Sequence, residues 1–365
     1  MPKGLNLQSV KSRNRSMVLY LLNRYGAMSR KELSGRLSLT PAAVTKICAE
    51  LIEDGFIYEC GSEEDHSGKS GRKEIMLSLK LDDKYALGIN AERGAITYSL
   101  TKLDGTLIKK ESAPFCESVA EVIAKSKAFY DGLESYKDKI IGAGVCIIGA
   151  TSDKFGVWKS SDIESDFESA LGIPVAVENN VKAFVESELI YGDVKNNSSV
   201  LFFKWGAGVG SSIVANGRVL CGNDSGTAEI GHYIVNPDGA ECRCGRRGCL
   251  ETEVSADAIL TRFKNKQVSA EELATCDDEE IFEFIEKKTR TVAIALVNTA
   301  TILNANDVIL FGAMFENPKI VSALKRYCKK LGLPPELIKL SEQNDMRSYI
   351  GATAICAKKF FYDRN

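Results

Sequence analysis

The feature that most constrains this chain is a histidine followed by three closely spaced cysteines. Glu229-Ile-Gly-His232 leads into Cys242-Arg-Cys244-Gly-Arg-Arg-Gly-Cys249, and the stretch ends at Glu251. The whole sequence of 365 residues holds only two histidines. One imidazole and three thiolates form a donor set suited to tetrahedral Zn²⁺, and four protein ligands leave no open coordination position. The expectation is therefore a structural zinc ion on His232, Cys242, Cys244 and Cys249 that ties the loop without entering any chemistry. Gly239, Gly245 and Gly248 supply the turns that such a loop needs. The alternative is a glycine-rich turn whose reduced cysteines are incidental. Closing the loop on a metal would also bring Glu229 and Glu251 near one point, where both carboxylates could accept hydrogen bonds from a polyol.

This stretch resembles the ROK family, which groups sugar-responsive repressors with sugar kinases. The family's Glu-x-Gly-His, followed by Cys-x-Cys-Gly-x-x-Gly-Cys-x-Glu, stands complete between Glu229 and Glu251. The resemblance implies that Glu229, His232 and Glu251 contact a bound sugar, and that His232 and the three cysteines hold zinc. His232 would serve both through its two ring nitrogens.

Composition bounds the rest. A chain with 44% hydrophobic and 26% charged residues is ordinary for a soluble globular protein of two or three domains. No apolar run approaches the roughly 20 residues that a membrane span needs. The N-terminus lacks the apolar centre of a signal peptide. Eleven irregularly spaced cysteines, an odd number, argue against a disulfide framework. Together these set the expectation of a cytoplasmic protein. The net charge of −2 is unevenly spread: residues 1–80 carry +4 and the remainder −6. A basic head on an acidic body points to a polyanion as partner for the head alone.

The head, residues 1–80, reads as three helices and a β-hairpin. A first helix over about Lys11 to Tyr25 places Val18, Leu21 and Leu22 on one face. Ser29 is a candidate N-cap for the second, with Glu32 at the capping-box position. Thr40-Pro41 opens the third, which stops at Gly55. Val44, Ile47, Leu51 and Ile52 fall on its inner face, leaving Ala42, Ala43, Thr45 and Lys46 outside. These are small, hydroxylic and basic groups that suit a major groove. Strands over Phe56–Glu59 and Glu74–Leu79 flank a wing tipped by Ser67–Lys73, where Arg72 could enter a minor groove. The pattern predicts a winged helix-turn-helix DNA-binding domain, with Thr40, Ala42, Ala43, Thr45, Lys46 and Arg72 as contacts. A three-helix protein-interaction module shares the core pattern but not the basic bias. ROK-family repressors carry such a head, and Thr40–Gly55 resembles theirs.

The body, residues 81–365, reads as α/β. Strands are expected over Tyr85–Asn90, Ala95–Leu100 and Thr106–Lys109, a helix over Val119–Leu133, and a buried strand over Ile140–Ile148. An apolar helix is expected at Thr291–Leu303, a buried strand at Asp307–Phe311 and a small-residue helix at Ser348–Lys358. Asp257–Glu286 reads as surface, and no internal repeat is found. The start of this order resembles the two-lobed actin-like ATPase fold of sugar kinases.

The kinase machinery, however, is degraded. The family's Asp-x-Gly-Gly-Thr phosphate turn corresponds to Asn90-Ala91-Glu92-Arg93-Gly94, with large charged side chains where phosphate needs bare backbone. A second phosphate loop survives only in outline as Gly206-Ala207-Gly208-Val209-Gly210. Met314, in Gly312-Ala313-Met314, is expected to put a bulky side chain near the adenine position. Where the kinases have a catalytic Asp, this chain has Asn180, after Asn179. A carboxamide holds a hydroxyl but has no useful basicity near neutral pH. Asn179 reads equally as a helix N-cap and as a ligand contact.

The resulting expectation is a regulator with no catalytic residue. A sugar or sugar phosphate would sit on Asn179, Asn180, Glu229, His232 and Glu251, and zinc on the tetrad. A homodimer or homotetramer would bind a double-stranded DNA operator as a repressor of carbohydrate-utilisation genes. The alternatives are an ATP-dependent sugar kinase with an appended DNA-binding head, and a metal- or thiol-sensing regulator.

Overall fold

The computed structural model of the protein describes residues 7–62, 74–149, 162–192, 194, 199–220, 227–266, 268–270 and 272–364. The N-terminal part opens with α1 (Leu7–Tyr25), whose Val18, Leu19 and Leu22 are buried. It continues through β1 (Met28–Ser29), α2 (Arg30–Leu37), α3 (Pro41–Glu53), β2 (Ile57–Ser62) and β3 (Ile75–Leu79). Ser29 closes a full capping box on α2: its Oγ accepts from the Glu32 amide at 3.2 Å, and Glu32 Oε2 accepts from the Ser29 amide at 2.7 Å. Ser38, at φ 55°, makes the left-handed turn into α3. There Thr40 Oγ1 accepts from the Ala43 amide at 3.3 Å, and Pro41 stands first in the helix. Each such cap contributes about 1 kcal/mol, so local chemistry alone sets both helix starts. The three strands form an antiparallel sheet in the order β1-β3-β2. This is the winged helix-turn-helix arrangement. The wing tip, with Arg72, lies outside the described residues.

The body consists of two five-stranded sheets. The first is built from β4 (Tyr85–Glu92), β5 (Ala95–Lys102), β6 (Leu107–Pro114), β7 (Ile140–Ile147) and β8 (Val175–Asn179). Along the chain these alternate with α4 (Val119–Asp131), α5 (Ile163–Leu171) and α6 (Asn180–Tyr191). The second lobe holds β9 (Val200–Trp205), β10 (Val209–Ala215), β11 (Arg218–Val219), α7 (Leu250–Val254), α8 (Ala256–Arg262) and α9 (Glu279–Leu303). It continues with β12 (Asp307–Phe311), α10 (Pro318–Lys330) and β13 (Ile338–Leu340). The chain closes with α11 (Ile350–Ala357), which runs into a π-helical turn, Lys358–Tyr362. The sheet orders are β6-β5-β4-β7-β8 and β11-β10-β9-β12-β13. In each, an antiparallel meander of three strands is joined by two parallel strands. The lobes thus share one topology, a duplication of fold that no repeat in the sequence signals.

Helices α6 and α11 fill the space between the sheets. On one side α11 lies so close to β7 that a Cβ on Gly144 would stand 2.0 Å from the Ala352 carbonyl oxygen. On the other, Val181, Phe184 and Val185 of α6 pack against the second sheet, with the Phe184 and Phe311 rings stacked at 4.1 Å. Two sequence expectations fail in the second lobe. Asp257–Glu286 is not all surface: Ile259, Phe263, Leu273, Ala274, Ile281 and Ile285 are buried in that lobe's core. Two helices of different phase share the segment, so a single period cannot fit it. Met314 is fully buried in the same core rather than projecting toward a nucleotide.

The head sits on the body through the chain's last turn. Tyr362 stacks on Tyr20 at 4.8 Å, and Phe361 packs on Phe56 at 5.0 Å. Asn23 of α1 donates through Nδ2 to the Ile190 carbonyl of α6, and its Oδ1 accepts from the Tyr362 hydroxyl at 2.8 Å. Beneath them, Lys358 pairs with the buried Glu186. No described helix is long and apolar enough to cross a membrane.

Candidate functional site

The loop from Tyr233 to Cys249 folds back on itself through bridges between Ile234 and Cys249 and between Glu241 and Arg247. Gly248 is obligatory in it. At φ 63°, an added Cβ would fall 1.4 Å from the Asn236 carbonyl oxygen. The fold brings the ligand atoms of His232, Cys242, Cys244 and Cys249 within 4.8 Å of one another. Cys242 Sγ stands 3.5 Å from His232 Nδ1, and Cys244 Sγ stands 3.6 Å from Cys249 Sγ. Metal–sulfur bonds of about 2.3 Å in a tetrahedron give ligand–ligand edges of about 3.7 Å, so the donor set fits a zinc-sized ion. Burial lowers the His232 pKa and keeps the imidazole neutral, as a ligand must be. Burial pushes the Cys244 thiol up, but hydrogen bonds from the Arg246 side chain and backbone outweigh it and bring the pKa down to about 7. With Nδ1 on the cysteine side, the opposite ring edge carries Nε2.

Cys249 directly precedes α7, so the tetrad fixes where Glu251 projects. Glu251 lines the cleft between the lobes together with Glu229, Asn179, Asn180, Arg93, Lys204 and Arg243. Four of the five residues expected to contact sugar line the cleft, whereas the fifth, His232, is buried and is not part of its wall. Asn179 does cap α6: its Oδ1 accepts from the Val181 and Lys182 amides at 2.9 and 3.2 Å, and its Nδ2 donates to the Gly149 carbonyl at 2.6 Å. Asn180 Nδ2 donates to the Ala91 carbonyl at 3.2 Å, joining α6 to the end of β4. Burial raises the Glu229 pKa, and nearby Lys182 offsets part of that rise.

Sequence reasoning missed four cations of this site. Lys182 is a buried lysine beside Glu229, in the first turn of α6. Arg93 donates to Glu251 Oε1 at 3.0 Å and to Asp257 Oδ2 at 3.1 Å. Lys204 pairs with Glu92, and Arg243 approaches Glu251 at 3.6 Å. The large charged residues in the 90–94 turn were the available signal. They were legible as obstacles to phosphate, but their partners on the other lobe were not. A Cβ on Gly208 would lie 3.7 Å from the Arg93 guanidinium carbon, so Arg93 occupies the space beside the glycine loop.

On the head, Thr40, Ala42, Thr45 and Lys46 are exposed and Ala43 is half-buried, on the outer face of α3. The Thr40 hydroxyl is engaged as a cap, and Thr45 Oγ1 donates to the Pro41 carbonyl at 2.8 Å. Part of the basic bias is neutralised within the head. Lys11 and Arg15 pair with Glu50, Arg15 also with Asp54, Arg30 with Glu59 and Lys31 with Glu74.

Comparison with known proteins follows this division. The ROK family model matches residues 86–359, and the MarR family model matches residues 11–66. The xylose repressor of Bacillus spizizenii is 24% identical over 334 residues, covering 87% of this chain and 86% of its own. The DNA-binding transcriptional dual regulator NagC of Escherichia coli is 26% identical over 393 residues, covering 96% of this chain and 93% of its own. A crystal structure of a ROK family transcriptional regulator, a homolog of the E. coli MLC protein, superposes with a TM-score of 0.78 at 22% identity, over 97% of each chain. A ROK family glucokinase from Streptomyces griseus, in complex with glucose and AMPPNP, superposes with a TM-score of 0.62 at 18% identity. That match covers 75% of this chain and all of the glucokinase, leaving the head outside the shared fold.

Proposed function

Because this chain belongs to the ROK family, we propose that it works as a sugar-responsive DNA-binding transcriptional regulator, a repressor released from its operator by a bound sugar or sugar phosphate. The observation that carries the reading is one cleft in which polyol acceptors are assembled while the phosphate cradle is filled by protein side chains. Glu229 and Glu251 face the cleft, and Arg93 and the Lys204–Glu92 pair occupy its phosphate side. The division of labour follows the proposed boundary: residues 1–80 bind DNA and residues 81–365 bind sugar.

Sugar hydroxyls would donate to Glu229 and Glu251 and engage the Asn179 and Asn180 amides and His232 Nε2. Zinc on His232, Cys242, Cys244 and Cys249 would supply rigidity alone, since the tetrad completes its coordination. The protein is not an enzyme in this reading, because Asn180 offers no base for a sugar hydroxyl. The kinase alternative needs ATP-dependent phosphorylation of a hexose by a site without that base.

Signal transfer is built into α6. Its first turn lies at the cleft, and its Ile190 carbonyl is bonded to Asn23 of the head. A cytoplasmic homodimer or homotetramer would set two heads on half-sites one helical turn apart, roughly 34–36 Å. Thr40, Ala42, Ala43, Thr45, Lys46 and Arg72 would read the operator. A hundredfold change in DNA affinity requires about 2.7 kcal/mol of coupling. The test is fluorescence anisotropy on DNA from upstream of the protein's own gene, titrated with sugars and sugar phosphates. Release by one sugar supports the reading, whereas release only by a chelator or an oxidant would assign the signal to the cysteine loop instead.

A further inference from the structure

We propose that Arg93 is an internal competitor for the sugar, a cation that holds Glu251 in the ligand-free state and latches the two lobes together. The proposal rests on the reading of Glu251 as a sugar acceptor. Its structural basis is independent of that reading. Arg93 and Glu92 sit on the β4–β5 turn of the first lobe, whereas Lys204, Glu251 and Asp257 belong to β9, α7 and α8 of the second. Three ion pairs therefore cross the cleft mouth: Arg93–Glu251, Arg93–Asp257 and Lys204–Glu92. Arg93 and Lys204 are 27% and 12% exposed, so neither pair is a fully hydrated surface contact.

Both oxygens of the Glu251 carboxylate are already engaged. Oε1 takes the Arg93 guanidinium, with Arg243 at 3.6 Å, and Oε2 takes the Val209 amide at 3.2 Å. A sugar hydroxyl approaching Oε1 from the guanidinium's side competes with Arg93 for that oxygen. The cleft is narrow and open to solvent at its mouth, with a volume of about 60 Å³, on the order of four or five water positions. Sugar binding at Glu251 and release of the Arg93 ties across the cleft are thus coupled.

Two measurements test this. The first needs no sugar. Spin labels on genetically encoded residues at exposed Lys110 in the first lobe and Lys330 in the second leave every cysteine untouched and report the inter-lobe distance by dipolar spectroscopy. Arg93→Ala should shift or broaden that distribution, and Asp257→Asn, which spares Glu251, should move it in the same direction by less. Distributions identical to the parent in both variants overturn the latch.

The second is calorimetric titration with D-xylose, D-glucose and N-acetyl-D-glucosamine. Whichever of these the parent binds, Arg93→Ala should bind on the order of tenfold more tightly, the worth of one charge-assisted hydrogen bond. Equal or weaker binding by Arg93→Ala overturns the competition. A parent that binds none of the three counts against the sugar-site reading, while the distance measurement still decides the latch.

Discussion

Asn23→Ala should disconnect the sugar cleft from the DNA-binding head while leaving each able to bind its own ligand. Asn23 uses both ends of its amide, donating to the Ile190 carbonyl at the end of α6 and accepting from the Tyr362 hydroxyl at 2.8 Å. Tyr362 is 1% exposed, so its hydroxyl has no water to turn to. A buried hydrogen bond contributes about 1 kcal/mol net, and an orphaned partner costs about 1–3 kcal/mol. Losing both bonds therefore removes roughly 2–4 kcal/mol from the junction. A hundredfold response to sugar needs about 2.7 kcal/mol of coupling, so this one side chain carries energy of the size required. The stacking of Tyr20 on Tyr362 and of Phe56 on Phe361 survives the change and keeps the head attached. The assay is DNA anisotropy with and without saturating sugar, paired with calorimetric sugar binding. Expected are affinities for DNA and for sugar each within about threefold of the parent, with the sugar response reduced to less than about tenfold. A folded variant that binds both ligands and still responds a hundredfold would refute the route through α6.

Four further outcomes follow from the same geometry. Cys244→Ser should lower bound zinc, measured by elemental analysis, and reduce both thermal stability and sugar-dependent DNA release; a variant with parental zinc content and release would dismiss the structural ion. Asn180→Asp restores a carboxylate at the kinase base position, yet should give no ATP-dependent phosphorylation of glucose in a coupled assay, because Arg93 and the Glu92–Lys204 pair still fill the phosphate side. Lys46→Ala should weaken binding to all DNA sequences alike and lower the salt slope by about 1 if Lys46 contacts phosphate, whereas loss of discrimination at one base pair would make it a base contact. Burial raises the Glu186 pKa despite its pair with Lys358, so the fold disfavours the ionised form. That cost is absent at acid pH, where both states are protonated, and grows as pH rises through the unfolded carboxylate value of about 4.3. Glu186→Gln should accordingly melt higher than the parent at pH 8 and converge with it only below about pH 4; the opposite order at pH 8 would show that the Lys358 pair outweighs the burial.

Legibility in the sequence tracked the range of the interaction. Ser29 with Glu32 and Thr40 with Pro41 announced the helix starts because a cap is local chemistry, and both caps are present. The cysteine loop was legible for a related reason: four potential ligands within eighteen residues are near enough in the chain for one short loop to bring them together, as it does. Asn179 declared its cap and its cleft position together, since the first turn of a helix following a strand is where this fold puts its site. What escaped were pairs chosen by topology. Nothing near Asn23 indicates that its amide meets Tyr362, 339 residues away. Nor does the small-residue stripe of α11 reveal which sheet receives it. The misjudged 257–286 segment failed for another reason: its apolar positions are in register only after the turn between α8 and α9 is known.

On the proposed reading, the lack of kinase chemistry and the means of switching would come from the same residues. A phosphate turn needs bare backbone, and Glu92 and Arg93 deny it. Once present, those side chains reach Lys204, Glu251 and Asp257 across the cleft. The ion pairs then do what a bridging nucleotide would do in an enzyme of this shape, holding two lobes against each other. They differ in one respect that matters for regulation: a nucleotide exchanges with solvent, whereas Arg93 is tethered. On this proposal the state of the cleft would be left to the sugar alone. Partly exposed pairs of this kind are weak, each contributing about 1 kcal/mol or less when well hydrated. A latch of that strength leaves the closed and open states within a few kcal/mol, the range in which a ligand with modest differential affinity can shift the population.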